Sequence, residues 1–218
     1  WQVGNEPNAD TTPQSAGLGD AGLSMRELAD FGRLQRLTYE AAKRVDPSVV
    51  VVLAGTVEIF PNVRDDYYDR LLDTVGCCVD VFDFHLYGDP VGGSLPPPPN
   101  PRMTGYQDIE TAAADFRQRL DQRGMSRTRI WLSETGAPTG TFKQGPLMLT
   151  ATEAQQGRDL PKRYVTALAS GIEKIFWYSL LDGFGTWEDK YFDHVGLLYD
   201  GHGAPRGTPK LGYWAYWQ

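Results

Sequence analysis

Trp131-Leu132-Ser133-Glu134-Thr135-Gly136 is the stretch on which the predicted fold depends, together with Trp1-Gln2-Val3-Gly4-Asn5-Glu6-Pro7 at the start of the chain. Each stretch reads as a short apolar strand that ends in a glutamate and then breaks at glycine or proline. A buried carboxylate lowers stability unless it is paired, so a glutamate at a strand end indicates chemistry. Because the carboxyl ends of barrel strands line one cleft, we expect Glu6 and Glu134 to face each other.

The rest of the chain alternates strand and helix, which is typical of parallel βα units. Further strands are predicted at 49–55, 79–88 and 174–181. Helices are predicted at 24–45, 63–75, 104–124 and 150–170, three of them opening on possible capping boxes such as Thr150 to Glu153. Eight βα units typically need about 250 residues, so this length accommodates only part of a barrel. We therefore predict an α/β fold, an incomplete TIM (β/α)8 barrel containing strands 4 to 8, with residues 1–218 forming a single catalytic domain.

Composition and motifs exclude several functional classes. The chain has 218 residues, 21 basic and 28 acidic side chains and a net charge of −7, without a basic run that could bind nucleic acid. No apolar run approaches the roughly 20 residues that span a bilayer, so no membrane partner is predicted. The three histidines lack metal-ligand spacing, and no phosphate loop, dinucleotide fingerprint or serine nucleophile elbow occurs. We predict neither a metal nor a cofactor.

The strand predicted at 79–88 has two different faces. Side chains alternate along a strand, which places Phe82, Phe84 and Leu86 on one face and Asp83, His85 and Tyr87 on the other. The apolar face is expected to pack on helices. The polar face is expected to point into the barrel and to form a wall of the active site.

Two carboxyl groups are sufficient to cleave a glycosidic bond. One donates a proton to the leaving oxygen, and the other attacks the anomeric carbon when the two lie about 5 Å apart, so that the configuration is retained. Burial or a like-charged neighbour raises the pKa of a carboxyl group enough for it to hold its proton near neutral pH. Glu6 and Glu134 suit these roles if their strand ends converge.

These residues resemble the clan-A glycoside hydrolases, retaining (β/α)8-barrel enzymes with an acid/base glutamate on strand 4 and a nucleophile on strand 7. The resemblance rests on Asn5-Glu6-Pro7 at the end of one strand and Glu134 at the end of the third strand after it, with His85 and Tyr87 on the strand between. It covers nearly the whole chain. Within the clan the similarity is closest to β-xylosidases, iduronidases and cellulase-like enzymes. The glycine that precedes Asn5-Glu6-Pro7, Gly4, also resembles the heparanase and β-glucuronidase family.

The resemblance implies a role for each of these residues. Glu6 is the general acid/base, Glu134 is the nucleophile, and Asn5 forms a hydrogen bond with the sugar 2-hydroxyl. Tyr87 supports the nucleophile and His85 lines the subsite.

It further implies that Trp177 or Tyr178 forms an aromatic floor beneath the sugar, and strand parity allows only one of them to face inwards. The implied partner is an oligo- or polysaccharide with β-linkages, and the implied location is outside the cell.

Some alternatives stay open. Glu58, Asp89 and Asp182 also follow predicted strands, and they are interpreted as substrate contacts or solvated loop charges. Trp187 and Tyr191 either stack on sugar rings or pack on the rim of the barrel. A carbohydrate-binding pseudoenzyme with the same cleft is a second hypothesis, and a purely structural barrel fragment is a third. Because unpaired strand edges promote association, the 218-residue chain alone is expected to be poorly soluble, oligomeric or inactive.

Overall fold

The computed structural model describes residues 1–6, 25–57, 67–76, 78–87, 107–144, 147–183 and 190–218. The helices are Met25–Val45 (α1), Tyr67–Val75 (α2), Gln107–Gln122 (α3), Glu153–Ala169 (α4) and Leu211–Trp217 (α5). The strands are Gln2–Val3 (β1), Val52–Leu53 (β2), Thr56–Val57 (β3), Val81–His85 (β4), Arg129–Thr135 (β5), Gly140–Gln144 (β6), Leu147–Ala151 (β7) and Lys174–Trp177 (β8). None of these helices combines the length and the apolar character that crossing a bilayer requires.

The chain divides into two compact units, which are described separately. Unit 1 comprises Trp1–His85, Ala112–Ser133 and Gly171–Lys174, and unit 2 comprises Leu86–Thr111, Glu134–Ser170 and Ile175–Gln218. In unit 1, β1 pairs with β2 and β2 with β4, all parallel, while β3 also pairs with β4. The protein is therefore α/β with a parallel sheet, as predicted. In the described residues the strand pairing follows an open path and does not close into a barrel.

Strand β4 has the two faces that the alternation predicts. Phe82 and Phe84 are buried, with ring centroids 4.7 and 4.9 Å from that of Phe116 on α3. Asp83 and His85 are also buried, and both reach Ser133 on β5. The apolar residues therefore pack against a helix, and the polar residues meet a polar partner.

The three- and four-residue spacing of Leu28, Leu34 and Leu37 predicts an apolar stripe on helix α1, and the structure departs from it. Leu28 is buried, but Leu34 and Leu37 are exposed, and the uncharged polar Gln35 is fully buried instead. The Gln35 amide donates to the Cys78 carbonyl at 3.0 Å. This hydrogen bond satisfies the side-chain nitrogen of Gln35. The helix therefore buries this polar residue while two of its leucines stay exposed.

The sequence predicts a glycine-rich loop between the Glu134 strand and Thr150, but in unit 2 this segment forms a β-hairpin. Strands β6 and β7 are antiparallel, and Thr141 pairs with Thr150 across them. Because Thr150 belongs to this strand, it cannot cap helix α4. The predicted box from Thr150 to Glu153 is wrong. The Thr152 side chain caps α4, and Gln155 accepts from the Thr152 backbone N–H at 2.6 Å. The other two predicted boxes, and the stiff extended loop predicted around the consecutive prolines at 96–99, lie outside the described residues.

Asp182 is a structural residue and not the substrate contact or solvated loop charge that was expected. It is 4% exposed, and its Oδ2 lies 2.6 Å from Nζ of the buried Lys210. Lys210 Nζ also donates to Thr139 Oγ1 at 2.7 Å. Burial raises the pKa of Asp182 and lowers that of Lys210, and their mutual attraction opposes both effects. The pair joins the start of α5 to the loop after β8. Glu58 and Asp89 lie outside the described residues.

Candidate active site

Glu6 lies just beyond strand β1 and has an unusual backbone conformation. Its φ is +44°, the left-handed region that residues with a side chain seldom adopt. Its backbone N–H donates to the Gly55 carbonyl at 2.7 Å, which attaches the residue to the end of the neighbouring strand. Asn5 beside it is exposed. Residues held in such conformations cluster at functional sites.

The Glu6 carboxylate is the first member of a chain of four side chains, all within unit 1. Glu6 Oε1 lies 2.7 Å from Nδ1 of His85, and Nε2 of the same ring lies 3.1 Å from Ser133 Oγ. Ser133 Oγ donates to Asp83 Oδ2 at 2.5 Å, and the Ser133 backbone N–H donates to Asp83 Oδ1 at 3.1 Å. Asp83, Ser133 and His85 therefore connect the buried strands to the strand-end glutamate.

The direction of each hydrogen bond in this chain depends on its donors and acceptors. When Asp83 is ionised, the Ser133 hydroxyl gives its one proton to Asp83, so Nε2–H of His85 donates to Ser133. His85 Nδ1 and Glu6 Oε1 form the last hydrogen bond of the chain, in which either group can be the donor. Both histidine nitrogens therefore take part in hydrogen bonds.

Burial raises the pKa of Asp83 to about 6, although the bonds from Ser133 and the charge of His85 act in the opposite direction. The folded-state value lies above the unfolded one. The stability that Asp83 contributes is therefore fully present below pH ~4 and lost as the pH rises through about 6.

Asp83→Asn should remove this dependence. Because asparagine does not titrate, the unfolding free energy of the variant minus that of the wild type should rise by about 3 kcal/mol between pH ~4 and ~7 and then level off. Urea unfolding at a series of pH values measures the difference. A difference that is constant across the range, or that falls with pH, would contradict the assignment of Asp83 as a carboxyl group with a raised pKa.

Gly55 leaves the space that His85 occupies. A Cβ built on Gly55 would overlap the imidazole ring of His85 at Nε2. Because residues 49–55 read as a continuous strand, the sequence provided no signal that this glycine serves the histidine. The requirement is one of packing between two strand ends.

Gly55→Ala should displace His85 and destabilise the protein by about 1 to 3 kcal/mol, the usual cost of overpacking. Urea unfolding measures the loss. Gly157→Ala is the control, since its added Cβ would meet Leu211 only at ordinary contact distances of 3.4 to 3.5 Å. That variant lies within α4 and should gain about 0.5 to 1 kcal/mol. Equal stability of the two variants would show that His85 does not need the space.

Glu134, in unit 2, is bonded to a phenol. The Tyr87 hydroxyl donates to Glu134 Oε2 at 2.5 Å. Burial, followed by this hydrogen bond and the charge of Glu134, raises the pKa of Tyr87 far above its ordinary value. Tyr87 therefore keeps its proton, and its hydroxyl acts as the donor to Glu134.

Of the two aromatic residues at the end of β8, Tyr178 lies beside this pair. Its ring centroid is 6.2 Å from that of Tyr87, whereas the Trp177 indole N–H donates to the Val195 carbonyl at 2.9 Å. Phe192, which the sequence did not single out, lies 4.9 Å from the Tyr87 ring and is 40% exposed. Tyr191 donates from its hydroxyl to the Gly136 carbonyl and so packs on the strand end. Trp187 lies outside the described residues.

Ser133 and Arg163 are further site residues that the sequence reasoning missed. Ser133 directly precedes Glu134, and only its position opposite Asp83 and His85 reveals a role. Arg163 lies on α4, distant in sequence from both strands it contacts. The available signal was the position of Arg163 in its helix, because helical periodicity places it on the same buried face as Gln156 and Leu160.

These features define an α/β protein with a parallel sheet, in which Glu6 contacts a histidine and Glu134 contacts a tyrosine. Among the solved structures it resembles is a glucosidase from Croceicoccus marinus, with a TM-score of 0.64 and 20% identity over 99% of this chain and 39% of that chain. Another is a family 39 glycoside hydrolase from the gut symbiont Bacteroides cellulosilyticus, with a TM-score of 0.60 and 17% identity over 98% of this chain and 38% of that one. A third is a thermostable GH51 alpha-L-arabinofuranosidase from Thermotoga petrophila, with a TM-score of 0.61 and 12% identity over 99% of this chain and 38% of that one.

The likeness shows that the chain shares the fold of TIM-barrel glycoside hydrolases. The chain spans about two fifths of the length of these solved structures. No protein-family model and no curated protein matches the sequence.

Proposed function

We propose that the protein is a retaining glycoside hydrolase that acts on an oligo- or polysaccharide, with Glu6 as acid/base and Glu134 as nucleophile. The observation that carries the proposal is the opposite hydrogen bonding of the two strand-end glutamates. Glu6 forms a hydrogen bond with His85, a side chain that can exchange a proton with it, which suits a group that donates and recovers protons. Glu134 accepts from a tyrosine that keeps its proton, as a carboxylate that attacks carbon requires.

The proposed reaction has two displacements. Glu134 attacks the anomeric carbon while Glu6 gives its proton to the departing glycosidic oxygen, which leaves a covalent glycosyl ester. Glu6 then removes a proton from water, the water oxygen attacks the anomeric carbon, and the ester bond to Glu134 breaks with net retention of configuration. This mechanism requires the two carboxyl groups to lie about 5 Å apart.

By the same proposal the chain supplies strands 4 to 8 of a (β/α)8 barrel. The solved structures it resembles support this arrangement at the level of fold. Asn5, exposed beside Glu6, would bond a sugar hydroxyl, and His85 would line the subsite through its contact with Glu6. Tyr178 is the better candidate of the two aromatic residues for the floor under the sugar, because it adjoins Tyr87.

A trapping experiment tests the proposal on the complete natural polypeptide. The protein is incubated with a panel of aryl β-glycosides and with 2-fluoro glycosides, which form a stable ester with the nucleophile, and the labelled peptide is identified by mass spectrometry. The expected result is an adduct on Glu134. Glycan binding without hydrolysis or an adduct would instead support a carbohydrate-binding pseudoenzyme, and neither binding nor turnover would support a structural role.

A further inference from the structure

Arg163 is a fully buried cation in α4, within unit 2. Its Nε donates to Asp159 one turn earlier in the same helix, and Asp159 is itself 6% exposed. The carboxylate balances the charge of the guanidinium locally. A buried arginine loses its hydration, which only good hydrogen bonds offset, so its other contacts indicate its purpose.

The same guanidinium bonds to the ends of two strand segments. Nη1 donates to the backbone carbonyl of Tyr87 and, at 3.0 Å, to the hydroxyl of Thr135. Tyr87 carries the phenol that bonds Glu134, and Thr135 directly follows Glu134 in the chain. Arg163 Nη1 therefore connects the backbone of Tyr87, which donates to Glu134, with Thr135, which follows Glu134.

Backbone hydrogen bonds also hold this junction. The Leu86 N–H donates to the Glu134 carbonyl at 3.0 Å, and the Tyr178 N–H donates to the Thr135 carbonyl at 2.8 Å. Arg163 adds a bond one residue further along each segment. Within the described residues its Nη2 has no hydrogen-bond partner, so the side chain is placed by Nε and Nη1. An arginine that served only helix stability would gain more at an exposed position with all of its donors satisfied.

We propose that Arg163 is a positioning residue for the nucleophile, fixing the 2.5 Å hydrogen bond between Tyr87 and Glu134 by holding both strand ends. The role rests on the proposed function of Glu134 and extends it to a helix outside the strand ends. A lysine at this position retains the charge but has a single nitrogen, which cannot bond Asp159 and both strand ends with the fork geometry of a guanidinium.

The test uses the complete polypeptide with Arg163→Lys, Arg163→Met, Tyr87→Phe and the two double variants with Tyr87→Phe. The rate of covalent trapping by a 2-fluoro glycoside is measured for each. Small displacements of a reacting group cost up to about 10²-fold, so Arg163→Met should slow trapping by about that factor, and Arg163→Lys by less. Arg158→Met is the matched control, because Arg158 is exposed on the same helix, and it should trap at the wild-type rate.

The double variants separate positioning from general destabilisation. If Arg163 acts through Tyr87, its substitution should cost little further once the tyrosine hydroxyl is absent. Losses that multiply in the double variants, or wild-type trapping by Arg163→Met, would overturn the proposal. Should Arg163→Met not fold, Arg163→Lys with the same double variant gives the answer.

A second readout does not depend on activity. Crystal structures of the wild type and Arg163→Lys give the distance from Tyr87 Oη to Glu134 Oε2, which should lengthen beyond about 3.5 Å in the variant. A distance that stays at 2.5 Å would overturn the positioning role. If the wild type neither turns over nor traps any glycoside, the proposed function fails, while this distance still decides the role of Arg163.

Discussion

Replacing Glu134 with glutamine is expected to lower kcat on an aryl β-glycoside by about 10⁵-fold, comparable to the loss when an enzyme nucleophile is removed. Glutamine has nearly the same shape, and its amide oxygen still accepts from the Tyr87 hydroxyl, so the strand end should keep its geometry. The amide is a very poor nucleophile, and the glycosyl ester cannot form. Initial rates of phenol release measure the effect, with Glu110→Gln, an exposed substitution on α3, as the control that should keep full activity.

Replacing Glu134 with a residue that lacks a side chain tests whether it is the nucleophile, and not only whether activity depends on it. In Glu134→Gly, added azide can attack the anomeric carbon from the side that the carboxylate occupied, while the leaving group departs with the proton of Glu6. The expected product from a β-glycoside is an α-glycosyl azide, recognised by NMR. Undiminished hydrolysis by Glu134→Gln, or an azide product of retained configuration, would reject Glu134 as the nucleophile.

Glu6→Gln is expected to produce a loss that depends on the leaving group. Natural sugars and simple phenols need a proton as they depart, so their kcat/KM should fall by about 10² to 10⁴-fold, the usual contribution of general acid catalysis. Dinitrophenolate departs without a proton. A dinitrophenyl glycoside should therefore form the glycosyl ester at nearly the wild-type rate. The second step still needs a base, so the ester should accumulate and give a burst of dinitrophenol in stopped-flow measurements.

The hydrogen bonds of Glu6 give this prediction its structural basis. The chain from Asp83 through Ser133 and His85 ends in a hydrogen bond between His85 and Glu6, and a glutamine at position 6 has no acidic proton to release. Glu40→Gln, an exposed substitution on α1, is the control. An equal loss for good and poor leaving groups, without a burst, would show that Glu6 does not transfer the proton.

Much of the candidate site was predictable because strand geometry has a period of two residues. That period separates Asp83, His85 and Tyr87 from the phenylalanines between them, and the structure shows the two sets with different partners. The predictions failed where a partner from a distant element decided the outcome. Thr150 was expected to cap α4, but pairing with Thr141 holds it in a strand. Asp182 resembled a loop charge until Lys210, 28 residues later, was found beside it.

The sequence by itself determined the parallel α/β class, the strand-end positions of Glu6 and Glu134, and the identity of the histidine and tyrosine that accompany them. These follow from local periodicity and from chain breaks at glycine and proline, which depend on neighbouring residues alone. Only the tertiary structure decided that Gly55 makes room for His85, that Ser133 sets the direction of its hydrogen bonds, and that Arg163 reaches Tyr87 and Thr135. Steric fit and hydrogen-bond direction are properties of atoms brought together from distant parts of the chain, and no local pattern encodes them.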